Sequence, residues 1–237
     1  MVGAACSDNG SSPALPLARA LAASKKNTME KHEWRKKEKE FYLPKTKPEI
    51  IDVPAFKFVT ISGEGNPNGQ MFADSIGILY SVSYAIKMTL KKLENKPSEY
   101  SDYTVYPLEG VWDINEKAKK EYDGTFKKDD LVFKIMIRQP DFITESFFRE
   151  ILELTKQKKP HILLTKTKFE TISDGKSVQM LHIGSFDNEP ESFKQMEAFT
   201  KSKNLERTSK THREIYLSDF RKVATEKLRT VLRFKIN

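Results

Sequence analysis

The residues with the clearest chemical potential lie on a strand-like segment near the end of the sequence, His212–Ser218. Alternation along a strand places Glu214 and Tyr216 on one face. Ile215 and Leu217 then lie on the other face, which we expect to pack against helices, leaving the Glu214 face toward a groove. A carboxylate in an aromatic-lined groove can act as a general acid or base, or balance a cationic ligand. The competing interpretation is an exposed face with ordinary polar residues.

A second candidate segment, Leu108–Trp112, has the matching place in the first half of the chain. Trp112, next to Glu109 and Gly110 near the end of the strand, could form an aromatic wall of the same groove. The alternative for Trp112 is packing in the core with its N–H group satisfied. A flat ligand or a cation could be enclosed by the aromatic side chains of Trp112, Tyr84, Phe186 and Tyr216.

These residues are positioned by an order of strands and helices that occurs twice along the chain. Hydrophobic periodicity predicts the first unit as a strand, a helix and two strands: Phe56–Ile61, Phe72–Leu93, Tyr103–Trp112 and Leu131–Arg138. Tyr80 and Tyr84 form a stripe on the helix. A polar segment with Asp123-Gly124, typical of a hairpin connection, separates the last two strands.

The second unit repeats this plan with a strand at Val178–Gly184, a helix containing Phe193, Met196 and Phe199, and strands at His212–Leu217 and Leu228–Ile236. Asn188 is a candidate N-cap of that helix, with Pro190 in its first turn. A further helix between the units, within 141–159, has Thr144 as its candidate cap and Phe147, Ile151 and Leu154 on its apolar stripe.

The pattern predicts an α+β fold: a tandem βαββ duplication with pseudo-twofold symmetry, antiparallel sheets with helices packed on one side, and a central ligand cleft. The alternative is that the seam between the units is solid core. We expect residues 1–28 to be a leader or a segment added for expression, and disordered. Residues 29–47 would be an N-terminal arm anchored by Trp34, Phe41 and Tyr42. The domain would span 48–237, divided into 48–139, a linking helix and strand at 140–177, and 178–237.

Composition limits the function classes. The 237 residues carry a formal net charge of +8, but basic residues are interleaved with acidic ones, which is typical of a solvated surface, so we expect no nucleic-acid partner. No apolar run approaches the ~20 residues that cross a bilayer, so we expect no membrane partner. The single cysteine, Cys6, permits no internal disulfide and indicates a cytoplasmic protein.

The sequence lacks the motifs of common cofactor-binding, metal-binding and serine-nucleophile sites. The Gly63–Gly69 loop lacks a glycine where Asn68 stands and contains Pro67, so a dinucleotide-binding loop is not supported. The histidines have no closely spaced chelating partner, and no GxSxG sequence occurs. We therefore expect no cofactor and no metal ion.

Four segments carry a resemblance to a known family: Gly65–Asn68, Leu79–Tyr84, Pro107–Trp112 and His212–Asp219. Residues 48–237 resemble the GyrI-like small-molecule-binding domain, and the four segments resemble its stand-alone subfamily, which includes cyclopropanoid cyclopropyl hydrolases. The resemblance implies that Glu214 lies deep in the pocket and that Trp112 and Tyr216 belong to an aromatic cage. One departure is Phe220, where the family pattern has proline, and it affects the final hairpin.

The resemblance implies a xenobiotic-binding protein that hydrolyses the strained cyclopropane of DNA-alkylating compounds. We predict Glu214, Tyr216 and Glu109 as catalytic residues and Trp112, Tyr84, Phe186, His182 and Tyr80 as ligand-binding residues. Two alternatives stay open: a non-catalytic drug sequestrant or sensor, and an interaction module that inhibits DNA gyrase as the family name suggests. The 19 residues 29–47 are too few for a helix-turn-helix module, which disfavours a transcription regulator.

Overall fold

The computed structural model describes residues 31–123 and 125–237. The predicted leader, residues 1–28, lies outside the described residues, as do the first two residues of the predicted arm. The same holds for Gly124 of the predicted Asp123-Gly124 connection.

Six antiparallel strands form a closed barrel in the order β1-β3-β2-β5-β6-β4. They are β1 (Glu49–Glu64), β2 (Leu108–Ile114), β3 (Leu131–Gln139), β4 (Lys168–Ile183), β5 (His212–Tyr216) and β6 (Arg229–Lys235). The predicted α+β class with antiparallel pairing is confirmed. The strand order is unchanged when β1, β2 and β3 are exchanged for β4, β5 and β6, but the duplication itself stays a prediction.

The helices are α1 (Trp34–Lys37), α2 (Lys39–Tyr42), α3 (Gln70–Lys92), α4 (Glu116–Lys120), α5 (Glu145–Lys158) and α6 (Glu189–Ser202). Thr144 caps α5, because its side-chain oxygen accepts a hydrogen bond from the Phe147 N–H at 3.2 Å. Asn188 precedes α6 and Pro190 lies in its first turn, but the Asn188 side chain makes no capping bond. Within the described part of the chain, no helix combines the length and apolar character needed to span a membrane.

The helices cover the outer face of the barrel. Buried side chains of α3 and α5 pack with those of β1, β2 and β3, and Met196 of α6 packs with residues of β4 and β6. Side chains alternate along β5 as predicted, but the expectation that the Ile215 face packs against the helices is wrong. Glu214 and Tyr216 lie on the outer, helix-bearing face, whereas Ile215 points into the barrel with Arg213. A period of two shows which residues share a face, not which face the helices cover.

The N-terminal arm fills the inner side of the barrel. Trp34 and Tyr42 are 1% and 2% exposed, and the Trp34 indole N–H donates to the Val105 carbonyl at 3.2 Å. The arm also pairs its backbone with the chain at Tyr103, through a bridge to His32. Because these residues pair with the arm, β2 begins at Leu108 rather than at Tyr103 as predicted.

Candidate functional site

Side chains from α3, β2, β5 and α6, and from the short turn before α6, meet on the outer face of the barrel, where β2 pairs with β5. The register places Gly110 opposite Glu214 and Trp112 opposite His212, so these residues share the face toward α3 and α6. We call the following residues the outer-face cluster: Phe72, Trp112, Phe186, Glu189, His212, Glu214 and Tyr216. The structure thus brings together Glu214, Tyr216, Trp112 and Phe186 from the predicted site.

A chain of hydrogen bonds runs through the outer-face cluster and ends on Glu214. The Trp112 indole Nε1–H donates to the Tyr216 Oη at 2.8 Å, and the Tyr216 hydroxyl donates to the Glu214 Oε2 at 2.7 Å. His212 Nε2 lies 3.0 Å from the Glu214 Oε1. Because an ionised carboxylate only accepts, we assign the ring proton of His212 to Nε2. Each oxygen of the Glu214 carboxylate therefore accepts a hydrogen bond.

Aromatic rings form the walls of this cluster. The ring centroid of Phe72, at the start of α3, lies 5.5 Å from that of Trp112. On the other side, Phe186 meets Tyr216 edge to face, with centroids 6.0 Å apart. Trp112 is 6% exposed and Phe186 is 38% exposed. Phe186 therefore marks the edge of the cluster nearest to solvent.

Two buried groups of the cluster are neutral at physiological pH. Burial, together with the neighbouring Glu214 carboxylate, raises the pKa of Tyr216 well above its usual 10.0, so the phenol keeps its proton. Burial is also the largest cause that raises the pKa of Glu189, to about 10, followed by repulsion from Glu214. The cluster thus offers one phenol and one carboxylic acid as donors.

Gly110 provides the space that the hydrogen-bond chain occupies. A Cβ atom on this residue would lie 2.8 Å from the Trp112 Nε1 and 3.2 Å from the Tyr216 Oη. Both atoms belong to large rings packed among other side chains. No side chain other than hydrogen fits here without moving the indole or the phenol.

We expect Gly110→Ala to lower the free energy of unfolding by about 1–3 kcal/mol, because the added methyl group overpacks the site. The shift of the Trp112 indole should change the tryptophan fluorescence. Gly77→Ala is the matched control: Gly77 lies on α3 with open space around its Cβ position. That control should raise the free energy of unfolding by about 0.5–1 kcal/mol. Equal stability of both variants would contradict the packing at Gly110.

Glu109 does not join the cluster, contrary to the expectation from sequence. It follows Leu108 and precedes Gly110, so alternation turns it to the inside of the barrel. There its Oε2 lies 2.8 Å from the Arg213 Nη1, and both residues line a cavity of about 10 Å³ that has room for about one water molecule. Arg213 also holds Asp174, with 2.6 Å between Nε and Oδ2. Glu109 is therefore part of a buried ion network on the other side of the sheet from Glu214.

The remaining predicted ligand-binding residues lie around the cluster at different distances. His182 Nε2 donates to the Ser185 carbonyl and its Nδ1 accepts from the Ser192 hydroxyl, both at 2.9 Å, so it fixes the turn before α6 to the helix. The Tyr80 hydroxyl hydrogen-bonds to the backbone of Leu108. Tyr84 is 52% exposed and lies about 18 Å along α3 from Phe72, at 1.5 Å per residue. The structure does not bring Tyr84 to the cluster.

Three members of the cluster were not predicted from sequence. Strand alternation places His212 on the Glu214 face without indicating a role for it, and the sequence predicts Phe72 only as the first residue of a helix. Glu189 follows the candidate N-cap Asn188, and an acidic residue at the start of a helix ordinarily indicates a solvated first turn. Within residues 31–123 and 125–237, no group of three or more His, Cys, Asp or Glu side chains is placed to hold a metal ion.

A larger concave region lies elsewhere on the molecule. A groove of about 560 Å³ separates the end of α3 from the start of α5, and Leu93, Phe142 and Phe147 are among its lining residues. None of the predicted site residues lines it. Its position does not support a role in chemistry at Glu214.

Comparisons with known proteins agree with the fold and identify a small-molecule-binding family. The family description "GyrI-like small molecule binding domain" matches residues 46–236. A search of curated proteins finds no match. Among solved structures, a hydrolase from Listeria innocua is 34% identical with a TM-score of 0.77. An uncharacterized conserved protein from the same organism is 36% identical with a TM-score of 0.78.

A third Listeria innocua structure, a hydrolase encoded by lin2189, is 36% identical with a TM-score of 0.77. Each of the three covers 87% of this chain, and the match takes in 100% of each of those chains. The family match extends over most of the chain, and its first residue lies just before β1. On the family match and these three relatives, the chain belongs to the GyrI-like family of small-molecule-binding domains.

Proposed function

We propose that this chain binds a flat, largely aromatic small molecule at the outer-face cluster and hydrolyses ligands in which a strained cyclopropane is conjugated to a dienone. The observation that carries the proposal is the hydrogen-bond chain from Trp112 through Tyr216 to Glu214. Family membership supports the binding of a small molecule. Two relatives named as hydrolases, at 34% and 36% identity, support the reaction class.

Binding would use the aromatic walls. Trp112 and Tyr216 present large, rigid rings, and Phe186 lies at the solvent edge, so a planar ligand would enter past Phe186 and stack within the cluster. Phe186 belongs to a short 3-10 turn, Phe186–Asn188, that precedes α6. Entry would therefore require movement of this turn rather than of the barrel.

The reaction needs a polarised carbonyl and an aligned water molecule. The ligand's dienone oxygen would replace Glu214 as the acceptor of the Tyr216 hydroxyl, which stabilises the negative charge that develops there. The same exchange frees the Glu214 Oε2, which would accept a proton from water as the water oxygen attacks the methylene carbon. The carbon–carbon bond of the cyclopropane breaks, and its electron pair moves to the dienone oxygen. No covalent enzyme intermediate is required.

The decisive experiment is incubation of the protein with a cyclopropanoid alkylator, followed by mass spectrometry of the small molecule. Hydrolysis gives a product heavier by one water molecule, with saturable dependence on ligand concentration. Recovery of unmodified ligand from a tight complex would instead establish the non-catalytic sequestrant. A protein that neither binds the alkylator nor converts it to product would refute the proposed site.

We expect Trp112→Ala to weaken binding of a planar aromatic ligand by about tenfold or more, equivalent to about 1.4 kcal/mol, because it removes the largest wall of the site. Binding is measured by titration at a temperature where the variant is folded. Trp112→Phe keeps a ring in place and separates loss of the wall from loss of folding. Leu154→Ala, at an exposed position of α5, should bind like the unmodified protein. Unchanged affinity in Trp112→Ala would place the ligand elsewhere.

A further inference from the structure

Glu189 is the buried carboxyl group that the proposed reaction has not used. It is the first residue of α6 and only 6% exposed. Its Oε1 has no hydrogen-bond donor among the described residues. Acidic residues in the first turn of a helix are ordinarily solvated, and Glu191 in the same turn is exposed. Burial without a donor therefore distinguishes Glu189.

A second carboxyl group lies beside Glu189. Its side chain lies within hydrogen-bond reach of Glu214, and the acidic Asp187 is also nearby. Two carboxylates cannot share a buried site while both are ionised. The first turn of α6 favours negative charge, but it supplies no donor to the orphan oxygen. A proton on Glu189, donated to Glu214, satisfies both groups.

The other ionisable groups around the pair determine which member is charged. His212 and Tyr216 of β5 both bond to Glu214, so Glu214 already receives two donors and is the better place for the negative charge. Neither of these groups bonds to Glu189. Asp187 is partly compensated by Lys128, 3.8 Å away. Burial and these like charges raise the pKa of Glu189 to about 10, in agreement with the geometry.

We propose that Glu189 is a second proton-transfer residue of this site, which shares one proton with Glu214 and supplies the proton that completes the product. This inference rests on the proposed hydrolysis. In the reaction, Glu214 takes a proton from water as hydroxide bonds to carbon and the cyclopropane opens to a phenolate. The pair then holds two protons. One of them passes to the phenolate oxygen, which yields the neutral phenol and restores the singly protonated pair.

The first test is Glu189→Gln, which keeps the size and a hydrogen-bond donor but has no proton to transfer. We expect turnover to fall by about 10²-fold, while affinity for a planar ligand stays within about threefold of that of the unmodified protein. Glu191→Gln removes a carboxylate from the same helical turn at an exposed position, and it should leave turnover unchanged. Unchanged turnover in Glu189→Gln would overturn the role of Glu189 while hydrolysis itself stands.

The pH dependence provides a readout that a merely structural role would not produce. Turnover of the unmodified protein should fall as pH rises through about 10, because Glu189 then loses the proton that it supplies. The residual turnover of Glu189→Gln should lack this alkaline limb. Tyr216 does not produce this limb, because its pKa lies well above 10.0 and its phenol loses the proton only at a higher pH. An identical alkaline limb in both proteins would contradict the proposal.

The shared proton can also be observed without any substrate. Infrared spectra at neutral pH should contain the carbonyl stretch of a protonated carboxylic acid, and Glu189→Gln should lose it while Glu191→Gln retains it. Because Glu109 is also buried, the band is assigned from the difference between variants. A band that Glu189→Gln leaves unchanged would overturn the shared proton. If the unmodified protein hydrolyses no cyclopropanoid ligand, the proposed function and the catalytic role fall together, and the infrared result alone decides whether the pair exists.

Discussion

Glu214→Gln should slow hydrolysis of a cyclopropanoid ligand by about 10²- to 10⁴-fold while binding changes little. The amide is nearly the same size as the carboxyl group and still bonds to its neighbours, but it cannot accept a proton from water. The rate of product formation under single-turnover conditions measures the chemical step. Ligand titration with a non-reactive planar analogue measures binding separately.

Two further variants make this result specific. Glu226→Gln changes an exposed carboxylate in the 3-10 turn between β5 and β6, and it should keep full activity. Glu109→Gln alters a carboxylate inside the barrel, on the other side of the sheet from Glu214. Loss of turnover in a folded Glu109→Gln protein, together with normal turnover in Glu214→Gln, would move the reaction to the barrel interior and refute our assignment.

The largest loss of stability is expected from Arg213→Met. Arg213 is 4% exposed and holds both Glu109 and Asp174, so its removal leaves two buried carboxylates without their principal partner. Breaking a buried ion network from one side costs about 3–5 kcal/mol. Denaturant unfolding at neutral pH, monitored by circular dichroism, measures the difference. A loss below about 1 kcal/mol would show that water reaches these groups.

The control for Arg213→Met is the same substitution in a solvated ion pair. Arg221 lies 2.8 Å from Asp219, but its side chain is 65% exposed, and Arg221→Met should cost less than about 1 kcal/mol. The double variant Arg213→Met/Glu109→Gln removes one of the uncompensated charges. It should recover part of the stability lost in the single variant. Additive losses would mean that Glu109 and Arg213 do not interact.

The order and type of the long elements could be predicted from the sequence, because periodicity is a local property. The helix predicted at Phe72–Leu93 is α3, Gln70–Lys92, and the strand predicted at Leu131–Arg138 is β3, Leu131–Gln139. Where packing decides, the prediction was wrong: Leu154 of α5 is 38% exposed, whereas Phe148 and Leu152 beside it are buried. Apolar residues flank the predicted stripe of α5, so the sequence alone does not show which side of the helix packs against the barrel.

The site was predicted where strand alternation defines a face and missed where burial depends on a distant element. Glu214 and Tyr216 share a face, and the register with β2 brings Trp112 to them. Glu189 could not be identified, because its burial results from the turn that His182 holds against α6 rather than from neighbouring residues. The buried surroundings of Glu109 could likewise not be predicted, since they depend on Tyr42 of the arm, which packs against the inner side of the barrel.

Closure of the sheet restricts how the site can adjust to ligands of different size. Trp112 comes from one half of the chain and Glu214 from the other, and the halves join at two places, β2 with β5 and β1 with β4. In a closed barrel, a shift of β5 along β2 requires an equal shift of β4 along β1. The strands β1 and β4 each have 16 residues, so this second shift would disturb a long pairing. Small motions of the sheet therefore change the distance between the Trp112 indole and the Glu214 carboxylate little. Space for a bulkier ligand must come from movement of the 3-10 turn Phe186–Asn188.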